Sequence, residues 1–103
     1  MQNNSASIDI TAEGVLVLRG SLNATTAVSL QLEGQTLIAK QPANQCVIDL
    51  KDVGHSSSVG VALLTVWMRF AQSKGKTVRY ENMPQSMLDM VRLSGLDELL
   101  SNI

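Results

Sequence analysis

The side chains best suited to chemistry in this sequence follow one another at residues 54–58, which read GHSSS. A serine becomes a nucleophile only when a base activates it and a third group orients that base. His55 is the only histidine of the chain, and the sequence pattern supplies no acid to orient it. The sequence therefore predicts a protein that is not an enzyme, with no catalytic residue.

Binding of a metal or a nucleotide is no better supported at this segment. One histidine with dispersed carboxylates does not make a metal site, so His55 is interpreted as a turn or surface residue. The surrounding sequence DVGHSSSVG lacks the lysine and the glycine spacing of a phosphate-binding loop. We expect neither a metal nor a cofactor.

The position of the serines, directly before an apolar run typical of a helix, favours other roles. One of them is expected to be the N-cap of that helix. A phosphate on Ser56 or Ser57 would lie beside the unpaired amides and the positive dipole end of the helix, where it could be accommodated. Such a phosphate would add roughly −1.5 to −2 charges to the surface. The segment is thus predicted to be a contact point or a switch.

The helix that follows the serines is apolar over more than one face. Val59, Leu63, Val66 and Phe70 recur at helical spacing and predict the stripe that packs on the core. A second face contains Trp67 and Met68, together with Leu64 and Ala71. A helix packed on a sheet needs only one apolar stripe, so Trp67 and Met68 are predicted to meet an outside partner. A place in the core is the alternative for both.

The periodicity and turn signals predict seven elements in the order β-β-α-β-α-β-α. The expected architecture is a single α/β domain over residues 1–103, with a small mixed sheet covered by helices. The predicted strands cover residues 8–11, 15–19, 45–50 and 76–81. The predicted helices cover residues 24–40, 57 or 58 to 73, and 84–94, with a last helical turn or tail at 96–103.

Several packing expectations follow from the same patterns. The apolar run at 45–50 predicts a central strand buried on both of its faces, with Cys46 as a small core residue. Val28, Leu32 and either Leu37 or Ile38 are expected to form the core stripe of the first helix. Met83, Met87 and Met90, at i, i+4 and i+7, are interpreted as core, with an adaptable docking surface as the alternative.

Composition limits the partners and the compartment. The net charge is −1 and the eight Lys and Arg residues are scattered, which argues against nucleic acid. The single cysteine fits a reducing compartment, and the first ten residues lack the features of a secretory signal. The most apolar run, at 59–68, is too short to span a bilayer. We therefore expect a cytoplasmic protein that reaches a membrane only through a partner.

The element order, the strand VIDLKDV and the loop HSSSVG resemble the STAS domain family, whose members include the anti-sigma factor antagonists. In those antagonists the loop reads Asp-Ser-Ser/Thr-Gly-Leu-Gly, and a partner kinase phosphorylates the second hydroxyl residue. That position corresponds to Ser57. This sequence departs from the pattern at two positions, because His55 replaces the acid and Ser58 replaces the first glycine.

The stretch SSSVGVALLTVWMRFAQSKGK and the length are more similar to the cytoplasmic STAS subunits of Mla-type phospholipid-transport ABC systems. This resemblance implies an accessory subunit that binds the transporter's ATPase and helps to maintain outer-membrane lipid asymmetry. A threonine that matters for function in those subunits corresponds to Ser56. The implied docking surface consists of His55, Ser56, Ser57, Ser58, Val59, Trp67 and Met68.

Two other functions stay open at this point. The chain would be an anti-sigma factor antagonist if a serine kinase were its partner and phosphorylated Ser57. It would be a ligand-binding domain if a small molecule occupied a cleft at the edge of the sheet. The two resemblances point to adjacent serines, and the sequence does not choose between Ser56 and Ser57.

Overall fold

The computed structural model describes residues 5–97 and Leu100. The predicted element order and the type of each element are confirmed. The elements are β1 (Ala6–Ile10), β2 (Leu16–Leu22), α1 (Ala24–Lys40), β3 (Gln45–Ser56), α2 (Ser58–Ser73), β4 (Thr77–Glu81) and α3 (Gln85–Leu93). Their approximate positions are confirmed as well, except that β3 continues beyond its predicted end at residue 50.

The end of the chain is described only in part. The predicted last turn is present to the extent that Leu100 N–H donates to the Leu96 carbonyl at 2.9 Å. The Leu100 side chain is buried. Residues 98, 99 and 101–103, which the same prediction included, lie outside the described residues.

The four strands form one mixed sheet in the order β1-β2-β3-β4. β1 and β2 make an antiparallel hairpin, whereas β2, β3 and β4 run parallel to one another. β3 is therefore central, as predicted. Because parallel strands end at the same edge of a sheet, the residues that follow β2 and β3 are brought together at the carboxyl edge.

The prediction that the central strand is buried on both faces is wrong. Along β3, Cys46, Ile48 and Leu50 are buried, whereas Val47 and Asp49 between them are only half-buried. The helices cover one face of the sheet, and the opposite face stays open. A short apolar run does not distinguish these two cases, because Val47 is as apolar as its buried neighbours.

Ionic contacts occupy the open face. The Arg19 guanidinium lies 3.2 Å from the Asp9 carboxylate and 3.6 Å from that of Asp52. Burial tends to raise the pKa of Asp49, but hydrogen bonds from the Lys51 N–H and the Asn82 amide, with the Lys51 charge, outweigh it, so this pKa is lowered. Charged side chains on this face thus pair with one another.

The predicted core stripe of α1 is wrong at Val28 and Leu32 but right at Ile38, one of the two residues expected at its end. Val28 is 70% exposed and Leu32 is 62% exposed. The buried side of α1 consists instead of Thr26, Leu30, Gly34 and Ile38. Two of these four residues are not apolar side chains, so hydrophobic periodicity alone selects the wrong side of the helix.

Gly34 is buried because the Trp67 indole lies against it. A Cβ on Gly34 would overlap the indole ring. The Trp67 Nε1–H also donates to the Gln31 carbonyl at 3.1 Å, so the polar atom of this fully buried ring has a partner. This contact fixes how α1 and α2 face each other.

The second large buried aromatic residue, Tyr80 of β4, makes a similar contact to α2. Its hydroxyl donates to the Leu64 carbonyl at 2.6 Å. Burial raises the pKa of Tyr80 well above its ordinary value. The three methionines at 83, 87 and 90 agree with the core interpretation, since Met87 is buried and Met83 and Met90 pack against the core.

Within residues 5–97, no helix is long and apolar enough to cross a membrane.

Replacement of Gly34 by alanine tests the contact between α1 and α2. Alanine normally stabilises a helix by about 1 kcal/mol relative to glycine, but here its methyl group would displace the Trp67 ring. We expect Gly34→Ala to lower the free energy of unfolding by about 2 kcal/mol, as measured by urea denaturation. The exposed neighbour provides the control, because Glu33→Ala should stay within about 0.5 kcal/mol of wild type. A stabilised Gly34→Ala variant would contradict the packing described.

The raised pKa of the buried Tyr80 hydroxyl predicts that the protein loses stability at alkaline pH. Its folded-state pKa lies above the unfolded value, so the unfolded chain releases the proton first as the pH rises. The stability contribution is complete below about pH 10 and falls above it by about 1.4 kcal/mol per pH unit. Tyr80→Phe should cost about 1 kcal/mol at neutral pH and flatten the alkaline decline. Equal alkaline slopes for the two proteins would refute this prediction.

Candidate functional site

The serine segment lies where β3 passes into α2 at the carboxyl edge of the sheet. The sequence predicted a loop from residue 51 onward, but β3 continues through His55 to Ser56. Its last part pairs with β2 alone, with Ser56 opposite Leu22. The connection to α2 is therefore a single residue, Ser57, between a strand and a helix.

Ser57 is the N-cap of α2, as expected for one serine of the segment. Its Oγ accepts from the Val59 N–H at 3.2 Å. Its own N–H donates to the Leu22 carbonyl at 3.0 Å, and its carbonyl accepts from the Gly60 N–H at 3.0 Å. These three bonds fix the start of α2 against the end of β2.

Ser56 has a different role, in packing. Its Oγ donates to the Ser57 carbonyl at 2.9 Å, and the residue is half-buried. Gly60 makes the space for this hydroxyl, because a Cβ at Gly60 would overlap it and would also lie 3.1 Å from Leu22 Cβ. The Ser56 hydroxyl thus packs against Gly60.

The outer surface of the junction is formed by its exposed residues. His55 and Ser58 are exposed, while Ser57 and Val59 are half-buried. The first turn of α2 carries no acidic residue, so the positive end of its dipole is not offset locally. Hydroxyl groups, an imidazole and a small apolar side chain therefore share one continuous surface.

The prediction that Trp67 and Met68 face an outside partner is wrong. Trp67 has no exposed surface and Met68 is 4% exposed. α1 packs on the second face of α2, so that face needs no outside partner. The stripe predicted to be core is only partly so, because Leu63 is buried while Val59, Val66 and Phe70 are half-buried. The predicted docking surface is therefore limited to residues 55–59, and this part stays a prediction.

The sequence did not predict that α1 starts next to α2, at the carboxyl edge of the sheet. Asn23 follows Leu22 directly and caps α1, accepting from the Thr25 N–H at 2.9 Å and the Thr26 N–H at 3.2 Å. Two helix N-termini therefore lie side by side at the junction. Asn23 is of a residue type common at N-caps, but its proximity to Ser57 depends on the pairing of β2 with β3.

Metal binding finds no support in the described part of the chain. Across residues 5–97 and Leu100, no group of three or more His, Cys, Asp or Glu side chains could hold a metal ion. Cys46 is buried under α1, and burial raises the pKa of its thiol while Lys76 lowers it less. A neutral buried thiol is a core residue and not a reactive one.

The cap at Ser57 can be tested by a pair of substitutions. Ser57→Ala removes the acceptor for the Val59 N–H and should lower the free energy of unfolding by about 1 kcal/mol. Ser57→Asp restores an acceptor and should stay within about 0.5 kcal/mol of wild type. Ser58→Ala, on the exposed side of the same turn, is the control and should be neutral. Equal losses for Ser57→Ala and Ser57→Asp would show that the hydroxyl is not acting as a cap.

Comparison with known proteins identifies relatives over nearly the whole chain. The family model described as "Mlab, STAS domain" matches residues 7–101. The "Intermembrane phospholipid transport system binding protein MlaB" of Haemophilus influenzae is 27% identical over 89 residues, which cover 84% of this chain and 85% of that protein.

Solved structures with the same fold include anti-sigma factor antagonists. Unphosphorylated SpoIIAA superimposes with a TM-score of 0.70 at 17% identity, covering 91% of this chain and 84% of SpoIIAA. An anti-sigma factor antagonist from Mycobacterium paratuberculosis gives a TM-score of 0.64 at 24% identity, covering 92% of this chain and 80% of the antagonist. At these identities the likeness concerns the fold alone. The match of the family model over residues 7–101, with this fold, shows that the chain belongs to the MlaB family of STAS domains.

Proposed function

We propose that this chain is a non-enzymatic cytoplasmic accessory subunit that binds the ATPase of a phospholipid-transporting ABC system. The observation that carries the proposal is the family match, supported by the Haemophilus relative, which is named as a binding protein of an intermembrane phospholipid transport system. The chain would then be peripheral to the inner membrane, which it would reach only through the transporter.

The docking surface of this proposal is the junction formed by residues 55–59. His55 and Ser58 are exposed and can form hydrogen bonds with a partner, while Val59 offers a small half-buried apolar contact. Protein interfaces combine polar groups at the rim with apolar groups at the centre. The junction is also held by the cap at Ser57 and the Ser57–Leu22 hydrogen bond, so a partner would meet a preorganised surface.

The hydrogen bonds of the serines support a binding role over a catalytic one. The Ser56 hydroxyl donates to a neighbouring carbonyl, and the Ser57 hydroxyl accepts from the first turn of α2. Both contacts shape the junction, and neither involves a base. A nucleophilic serine would need a hydrogen bond to such a base.

Titration with the purified ATPase of the same host tests the docking surface. Ser58→Arg places a long cationic side chain on the exposed start of α2, and we expect it to weaken ATPase binding by about tenfold or more. Isothermal titration calorimetry gives the dissociation constant. Gln72→Arg is the matched control, because it adds the same charge on an exposed position of α2 about 21 Å away along the helix axis.

Three outcomes separate the possible functions. Loss of binding for Ser58→Arg but not for Gln72→Arg supports the proposal. Equal binding of both variants would remove the junction from the interface. If wild type instead co-purified with a serine kinase and carried phosphate on Ser57, the protein would be an anti-sigma factor antagonist. The position of Ser57 Oγ at the start of α2 favours that second function, because a phosphate there would lie beside the helix amides.

A further inference from the structure

The exposed side of α1 carries large apolar side chains, and the packing of the domain does not explain why they are exposed. Val28 is 70% exposed and Leu32, one turn later, is 62% exposed. Along the 17 residues of α1 only Glu33 and Lys40 are charged. An exposed helix of a soluble domain usually carries a polar outer face, so a weakly charged face with two exposed aliphatic residues marks an interaction surface.

A groove between α1 and α2 extends this surface. Its volume is about 400 Å³, and both Leu32 of α1 and Phe70 of α2 line it. The Lys74 ammonium lies 5.6 Å from the centre of the Phe70 ring. The groove is lined by Leu32, Gln35, Thr36, Ala39, Lys40, Phe70 and Lys74.

The charges around the groove indicate what would occupy it. Lys40 and Lys74 stand at its end, and none of its described lining residues is acidic. A complementary occupant therefore carries carboxylates next to apolar side chains. α1 and α2 start at the same edge of the sheet and pack on each other, so the groove lies between two helices. An amphipathic helix is a common occupant of such a groove.

An anionic bilayer is a weaker match for the same features. A basic side chain contributes about 1 kcal/mol to binding at an acidic membrane surface, and this groove supplies two within a domain of net charge −1. Stable attachment to a bilayer needs a larger basic cluster or a larger apolar surface. The limited positive charge is better matched to a few carboxylates on a protein.

We infer that the groove between α1 and α2, with the exposed Val28 beside it, binds an acidic amphipathic helix of a partner protein. Apolar residues of that helix contact Val28, Leu32 and Phe70, and its carboxylates pair with Lys40 and Lys74. This surface is separate from the serine junction, because Lys74 and Ser58 lie at opposite ends of α2, roughly 24 Å apart along the helix axis. It therefore goes beyond the proposed function.

Site-specific photo-crosslinking in the native host tests the inference. The photo-reactive residue benzoyl-phenylalanine replaces Leu32 in the full chain, and the crosslinked peptide is sequenced by mass spectrometry. We expect a protein adduct within a helical segment that has an Asp or Glu within one turn of the crosslinked residue. The same probe at Ser86, an exposed position of α3, is the control and should not form this adduct.

Charge-reversal substitutions then test whether binding depends on the lysines of the groove or on positive charge elsewhere on the surface. Lys40→Glu with Lys74→Glu should reduce the adduct yield at Leu32 by about tenfold, whereas Lys51→Glu with Arg79→Glu on the open sheet face should leave it unchanged. Thermal unfolding of each variant verifies that it is folded. The inference would be overturned if the probe at Leu32 gave no adduct, a lipid adduct or a crosslink to a second copy of this chain. It would also be overturned if the crosslinked segment had no carboxylates, or if charge reversal at the groove left the adduct yield unchanged.

Discussion

The contact between the Trp67 indole and the backbone of Gly34 determines which side chains of α1 and α2 lie at the surface. A Cβ at Gly34 would overlap the ring, and the indole nitrogen donates to the Gln31 carbonyl one turn earlier in α1. Together these contacts set both the separation and the rotation of α1 relative to α2. Since a helix that buries one side must expose the other, the same contact decides that Thr26, Leu30 and Ile38 are inside and that Val28 and Leu32 are outside.

This constraint also explains which parts of the structure could be predicted from the sequence. Strand alternation, helix periodicity and caps are local signals, and they indicated all seven elements in the right order. The start of α2 at a serine was predictable because a cap depends on one residue and its immediate neighbours. The two faces of α2 were assigned wrongly because Trp67 becomes a core residue only when a glycine faces it from another helix, 33 positions earlier in the chain.

The candidate site shows the same division between local and non-local information. That a serine caps α2 follows from sequence, whereas the role of each serine depends on β2. Pairing of Ser56 with Leu22 extends β3 to the start of the helix, and the Leu22 carbonyl takes the Ser57 N–H. Ser56 packs against Gly60, Ser57 caps the helix, and Ser58 alone of the three is exposed. The three serines before the apolar helix thus differ in role: one packs against Gly60, one caps α2 and one is exposed at the surface.

The parallel arrangement of β2, β3 and β4 places these surfaces at different ends of the molecule. Each of these strands is followed by a helix that starts at the carboxyl edge, so the polar N-caps Asn23 and Ser57 gather there. The C-terminal ends of α1 and α2 lie at the opposite edge, where Lys40 and Lys74 complement the negative ends of the two helix dipoles. The charge pattern of the exposed helices therefore follows from strand direction. A partner that contacts the junction and a partner that contacts the groove would occupy opposite ends of α2, so a domain of 103 residues has room for both at once.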